Sequence, residues 1–191
     1  MTTLPDWMSP PRPEGWFAED LDSLPDAPRH TELIDGALVF MMSPQRRWHS
    51  SVIFALRAAI AARAPEGVVV DSEMTVRLDD RNRPEPDVIA STASVGPDGT
   101  WYEAADVILA VEVVAPESEH RDLTVKPHKY ATAGIKHFWR IEDEDGNAST
   151  VVHVYELDDM TRTYAPVGVF RETLKVDHPF LIELDVQGLY S

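Results

Sequence analysis

Residues 106–115 read DVILAVEVVA: after Asp106 the run is apolar at odd and even positions alike except for one charged side chain, Glu112. A strand with one wet face alternates apolar and polar residues, so a run apolar on both faces predicts a central strand covered above and below. On its C-terminal side, residues 123–133 predict a helix ended by Gly134. Pro127 lacks an N–H and crowds the carbonyl four residues back, so this helix begins near Leu123 or starts afresh at Lys126. The stretches KHFWRIED, TVVHVYEL and TYAPVGVF then read as three strands, joined by Asp145-Gly146 and a polar turn near Asp159. On the N-terminal side, residues 68–78 and 87–90 read as strands of a hairpin around the polar turn 79–83. Residues 48–64 place Val52, Leu56, Ala59, Ile60 and Arg63 at helical spacing, with Ser50 or Ser51 as cap and Pro65 and Gly67 as stop. TELIDGALVFMM is two apolar runs about Asp35-Gly36, a dipeptide suited to a tight hairpin turn because both residues tolerate positive φ. Six prolines between Pro5 and Pro28 predict a loosely packed arm over residues 1–25, with a short helix around residues 16–21. Residues 26–191 then form one α/β domain, a mixed central sheet flanked by helices with extra hairpins.

The chain has 191 residues and no cysteine, which excludes disulfides, zinc–thiolate sites and thiol nucleophiles. No stretch approaches a membrane span and the N-terminus lacks a basic start with an apolar run, so a soluble cytoplasmic protein is expected. Lys plus Arg number 17 against 33 Asp plus Glu, a net charge of −16 that opposes any nucleic-acid partner. The charges are unevenly spread. Residues 45–64 carry Arg46, Arg47, Arg57 and Arg63 without an acid, and residues 120–140 carry Arg121, Lys126, Lys129, Lys136 and Arg140 against Asp122 alone, so two local basic surfaces are expected. A Gly-rich phosphate loop and an H-E-x-x-H spacing are both missing, which argues against an NTPase and a zinc hydrolase.

A carboxylate in a buried strand has to be paired, protonated or bound to metal, because an uncompensated buried charge costs on the order of several kcal/mol. For Glu112 the plain alternative is a salt bridge to a basic residue on a covering helix. Asp87, after Pro86 at the head of the preceding strand, changes the balance: adjacent pairing brings both acids to one end of the sheet. Magnesium favours one or two carboxylates, a backbone carbonyl and waters, and the Val113 carbonyl is a natural further ligand. On its own, Asp87 could equally end the preceding loop. Phosphodiester cleavage also calls for a cation near the developing charge. Val114 occupies the nearby slot two residues after Glu112, so the lysine must come from elsewhere, Lys126 or Lys129 on the next helix, unless both are merely solvated.

At this point the chain resembles the Uma-two family of endonuclease-like proteins within the PD-(D/E)XK superfamily. The resemblance rests on LPDAPRHTELIDGALVFMMSP, RRWHS, TVRLDDRNRPEPDVIA, LAVEVVAPESEHRDLTVKPHKYATAGIKHFWRIE and FLIELDV, in family order from about Asp20 onward. It implies a restriction-endonuclease-like α/β fold with a magnesium-dependent nuclease site at one sheet edge. On this chain the family's acid pair falls on Asp87 and Glu112 and its displaced lysine on Lys126. Glu32 matches the early acid of the ELIDG motif, for metal or water, with an exposed hairpin position as the alternative. His49 matches a family histidine that could contact phosphate or serve the helix start. Asp122 and Tyr130 match positions read here as helix orientation and core packing. Ala115 departs from the pattern, standing where the family usually has Ser, and Ser118 is a possible replacement.

The expected function is hydrolysis of DNA phosphodiesters with magnesium, or manganese in its place, by Asp87, Glu112 and Lys126. Glu32, His49 and Lys129 support them, and Asp87, Glu112 and Val113 ligate the metal. A homodimer would set two sites against the two strands of DNA. The alternatives are a non-catalytic binding domain on the same fold, and a hydrolase of small phosphorylated substrates that needs no broad basic surface.

Overall fold

The computed structural model describes residues 5–25, 27–41 and 45–190. Residues 1–4 of the expected arm, Asp26 at its boundary, Met42 at the end of the first hairpin and Ser191 lie outside them. A first hairpin, β1 (Thr31–Ile34) and β2 (Ala37–Phe40), turns at Asp35 and Gly36, both at positive φ. Gly36 has a second reason to be glycine, because a Cβ there would sit 1.9 Å from the Arg81 guanidinium. Helix α1 (Arg47–Ala61) follows, with Arg46 at its N-cap position and no side-chain cap. The expected caps are therefore corrected: Ser50 and Ser51 fall inside the first turns, one helical step too late to accept the free N–H groups.

Next come β3 (Val69–Ser72), β4 (Thr75–Arg77), β5 (Val88–Ser91), β6 (Trp101–Glu103) and β7 (Val107–Val113). Helix α2 (Lys126–Ala133) precedes β8 (His137–Asp143), β9 (Thr150–Asp158), β10 (Thr163–Phe170), β11 (Thr173–Val176) and β12 (Ile182–Asp185). The central sheet has six strands in the order β10-β9-β8-β7-β5-β3, with β7 and β8 parallel and the other pairs antiparallel. As its two-faced apolarity predicts, β7 is interior. Leu109, Val111 and Val113 join a core with Trp48, Val52, Leu56 and Ile60 of α1 and Leu174 and Leu184 of the β11–β12 hairpin. Ala110 packs in a second core with Tyr130 and Ile135 from the α2 side. Helix α2 is the crossover that parallel pairing of β7 and β8 demands.

The expected hairpin over residues 68–90 is corrected in part. Strands β3 and β5 do pair antiparallel, but the chain leaves the sheet at Glu73, which has φ 55°, and β4 pairs in parallel with β6 in a separate two-stranded sheet. The N-terminal arm packs more tightly than its prolines imply. Trp16 and Ala18 are buried with Leu33, and Arg83 donates to the Ala18 carbonyl at 3.0 Å and to Asp22 at 2.8 and 2.9 Å. Proline breaks regular structure without preventing such docking. Among the described residues no helix is long and apolar enough to cross a membrane.

Candidate active site

The antiparallel register pairs Val88 with Val111. Continued by one residue it sets Asp87 opposite Glu112, and directly opposed residues share a sheet face. The amide of Val113 donates to Asp87 Oδ2 at 2.6 Å, which ties the carboxylate to the end of β7. Above this end stands α2, entered through a π-helical turn, Arg121–Val125. That wide turn suits Pro127, which has no N–H to return to the preceding turn. Asp122, Lys126 and Tyr130, spaced by four, fall on one face and all three are buried.

Lys126 is the hub. Its Nζ lies 3.0 Å from Glu112 Oε2, 2.8 Å from Glu32 Oε1, 3.3 Å from the Glu85 carbonyl and 3.6 Å from Asp122 Oδ1. The Tyr130 hydroxyl donates to the other oxygen of Glu112 at 2.5 Å. Glu32 is carried over the sheet end by β1, where its Oε1 also accepts the Glu85 amide at 2.8 Å; its position is buried, not exposed. His30 bonds to the Glu85 carboxylate, and Ser118 donates to Asp122 and contacts the Ala115 backbone. His49, in the first turn of α1, holds Nε2 3.8 Å from Asp87 Oδ1. These groups surround a pocket of about 50 Å3 lined by six acids, Glu32, Glu73, Glu85, Asp87, Glu112 and Asp122, and by a single lysine.

So many carboxylates around one cation cannot all ionise cheaply. Burial, opposed by Lys126, pushes Asp87 up to about 8 and Glu112 well above the ordinary carboxylate range. Asp122 and Glu85 rise for the same first reason. Burial also works against the charge of Lys126, but Glu112, Glu32, Asp122 and Asp87 outweigh it and hold the ammonium protonated. Burial lowers His49 and so favours the neutral imidazole, an effect that the Val113 backbone partly offsets.

Two buried carboxylate oxygens, Glu32 Oε2 and Asp122 Oδ1, have no hydrogen-bond partner. Orphaned oxygens beside protonation-prone acids fit a hard divalent cation with water, which would supply the missing positive charge. Among the described residues no three His, Asp or Glu side chains converge as a complete metal cage. Magnesium does not demand one, since it keeps several waters.

Of the residues singled out in the sequence, Asp87, Glu112, Val113, Lys126, Glu32 and His49 meet here. Lys129 does not: it pairs with Asp35 in the hairpin turn at 2.6 Å. Tyr130 and Asp122 touch the polar cluster directly, beyond the packing and orientation expected of them, while Glu85, His30 and Glu73 were not foreseen. The two expected basic surfaces are also corrected. Arg46 pairs with Asp143, Arg57 with Asp71, Lys136 with Asp159 and Arg140 with nearby Glu142, and with Lys126 and Lys129 paired as above, acids cover six of those nine cations.

An α/β protein with an acid–lysine cluster at the end of a mixed sheet is the class that fold and site define. Residues 18–187 match the model of Uma2, described as "Putative restriction endonuclease". The chain belongs to the Uma2 family. It is also similar to the crystal structure of a "putative nuclease belonging to DUF820 from Anabaena variabilis ATCC 29413", with TM-score 0.68 and 18% identity over 90% of this chain and 95% of that one. That likeness bears out the restriction-endonuclease-like fold. No match is found among curated proteins.

Proposed function

We propose that this chain is a magnesium-dependent DNA endonuclease acting at Asp87, Glu112 and Lys126. The observation that supports it most is charge imbalance in a buried pocket: acids whose ionisation burial disfavours, two carboxylate oxygens without hydrogen-bond partners, and one lysine among them. Stability alone gives no reason for such an arrangement, since a buried ionic cluster is often no better than an apolar one. A divalent cation bound there would act as Lewis acid on a phosphoryl oxygen and lower the pKa of a bound water. Asp87 and Glu112 would hold it, with the Val113 carbonyl as a further oxygen. Lys126 would set its ammonium toward the phosphate, where negative charge develops, while Glu32, tied to Lys126, accepts a proton from the attacking water. The new bond joins that water oxygen to phosphorus, and the bond from phosphorus to the leaving sugar oxygen breaks as that oxygen takes up a proton from solvent water. At about 50 Å3 the pocket takes an ion and a few waters but no base, so the strand would lie across its mouth.

The test is cleavage of supercoiled plasmid by purified protein with magnesium or manganese, beside Glu112→Gln and Lys126→Met. Metal-dependent nicking by the wild type and its loss in both variants support the reading. Intact plasmid, linear duplex and single strand across a range of salt would overturn it. One observation favours a second reading, a non-catalytic interaction domain: a chain of net charge −16 has most cations of its expected basic surfaces in ion pairs. That reading predicts no cleavage and no stabilisation by either metal.

A further inference from the structure

Helix α1 turns Trp48, Val52, Ile53, Leu56 and Ile60 into the core, yet Phe54 leaves it with 76% of its surface open to solvent. An exposed apolar residue by itself means little. Phe54, however, forms one wall of a groove of about 540 Å3, whose other walls include Asp71 and Glu73 around the end of β3 and Val95, Gly96 and Pro97 between β5 and β6.

This groove adjoins the acid pocket, since Ser50, Ile53 and Glu73 line both. Ser50 and Phe54 are four residues apart and share one face of α1. Four residues of helix rise about 6 Å, so the exposed ring stands one turn along from the mouth of the acid pocket. Of the charged groups in the groove, Asp71 accepts from Arg57 at 3.3 Å and from the Tyr102 hydroxyl at 2.5 Å, while Glu73 is exposed and joins no ion pair among the described residues. Two acids against one arginine repel a phosphate but admit a neutral ring, and Glu73 can accept from N–H groups on the edge of a base.

We propose that this groove holds an unpaired base of the substrate strand, stacked on Phe54 beside the nucleotide being cut, so that the substrate is single-stranded or locally unpaired DNA. The inference rests on the nuclease reading, whose acid pocket is too small to take the base itself. A base lying face-on against Phe54 has left its pairing partner, because a cavity of this size admits one nucleotide and not a duplex. Stacking also suits a chain of net charge −16. Duplex binding draws on cations free to neutralise phosphates, whereas a base stacked on an aromatic ring contributes without any charge.

The experiment is fluorescence anisotropy of a labelled eight-nucleotide single strand with the full chain, first in EDTA and then in calcium, beside the duplex of the same sequence and an abasic strand of the same length. The single strand should bind about tenfold or more tighter than either, Phe54→Ala should lose about tenfold, and Phe54→Tyr should restore binding to within about twofold. In magnesium, Phe54→Ala should act on KM for the single strand rather than on kcat. If Phe54→Ala, folded by circular dichroism, binds and cuts the single strand like the wild type, or if the duplex binds as tightly, the proposal is overturned while cleavage still upholds the nuclease. Single-strand binding that depends on Phe54, without cleavage in any metal, supports the groove and sinks the nuclease reading instead. Failure of every strand to bind in both buffers overturns the proposal outright.

Discussion

Replacing Asp87 by Asn removes one charge from the acid pocket and keeps a side-chain oxygen to accept the Val113 amide. In the metal-free protein Asp87 is raised from 3.8 to about 8, chiefly by burial. The folded state therefore holds a proton that the unfolded chain releases above its own lower pKa. Stability contributed by this group is full at low pH, declines as pH rises through the interval between those two values, and is lost above the higher one. At about 1.4 kcal/mol per pKa unit the shift sets a ceiling of roughly 6 kcal/mol. With 19% of the side chain open to water at the pocket, screening reduces this, and about 2–3 kcal/mol is expected. In EDTA at about pH 9, Asp87→Asn should therefore exceed the wild type in urea stability by that amount, and at about pH 4 the two should nearly coincide. Magnesium should reverse the order, stabilising the wild type by mass action and leaving the variant unchanged. A variant less stable than the wild type at both pH values, or a gain independent of pH, would refute the reasoning.

Lys126→Met strips the shared cation from Glu32, Glu112 and Asp122 and should cost about 3–5 kcal/mol near neutral pH; pH-dependent urea melts should show the loss shrinking in acid as Glu112 and Asp122 take up protons. Tyr130→Phe leaves Glu112 Oε1 without its donor and should cost about 1–3 kcal/mol in the same melts. Lys129→Ala removes only a pair with the exposed Asp35, so denaturation should register under about 1 kcal/mol and plasmid nicking should persist.

How much of this was legible in the sequence depends on the range of the interaction. Strand β7 announced itself because burial on both faces leaves a continuous apolar run, and Glu112 stood out against it. Asp35-Gly36 was equally plain, since few dipeptides take two positive φ values in succession. Strand β6, WYE, was missed because three residues show no period and its partner β4 lies more than twenty residues away. Strands β11 and β12 could have been found: TLKV and IELD alternate buried and exposed residues without exception. In the site, Asp122 and Tyr130 stood four residues either side of Lys126 and were still read as packing and orientation. A lone buried Tyr usually packs, and only the facing acid reveals that its hydroxyl has a partner. Glu32 and Glu85 meet Lys126 through a fold-back of the hairpin that no local pattern encodes. The expected basic surfaces failed for a related reason, because counting charges along the chain cannot see acids delivered by other strands.

The central claim is that one divalent cation sits between the carboxylates opposed at the ends of β5 and β7. Anomalous diffraction from manganese-soaked crystals tests it most directly. The account predicts a single strong peak bridging Asp87 and Glu112 near the Lys126 ammonium; crystals that diffract well but show no peak there, or manganese bound only at the acidic surface, would contradict it.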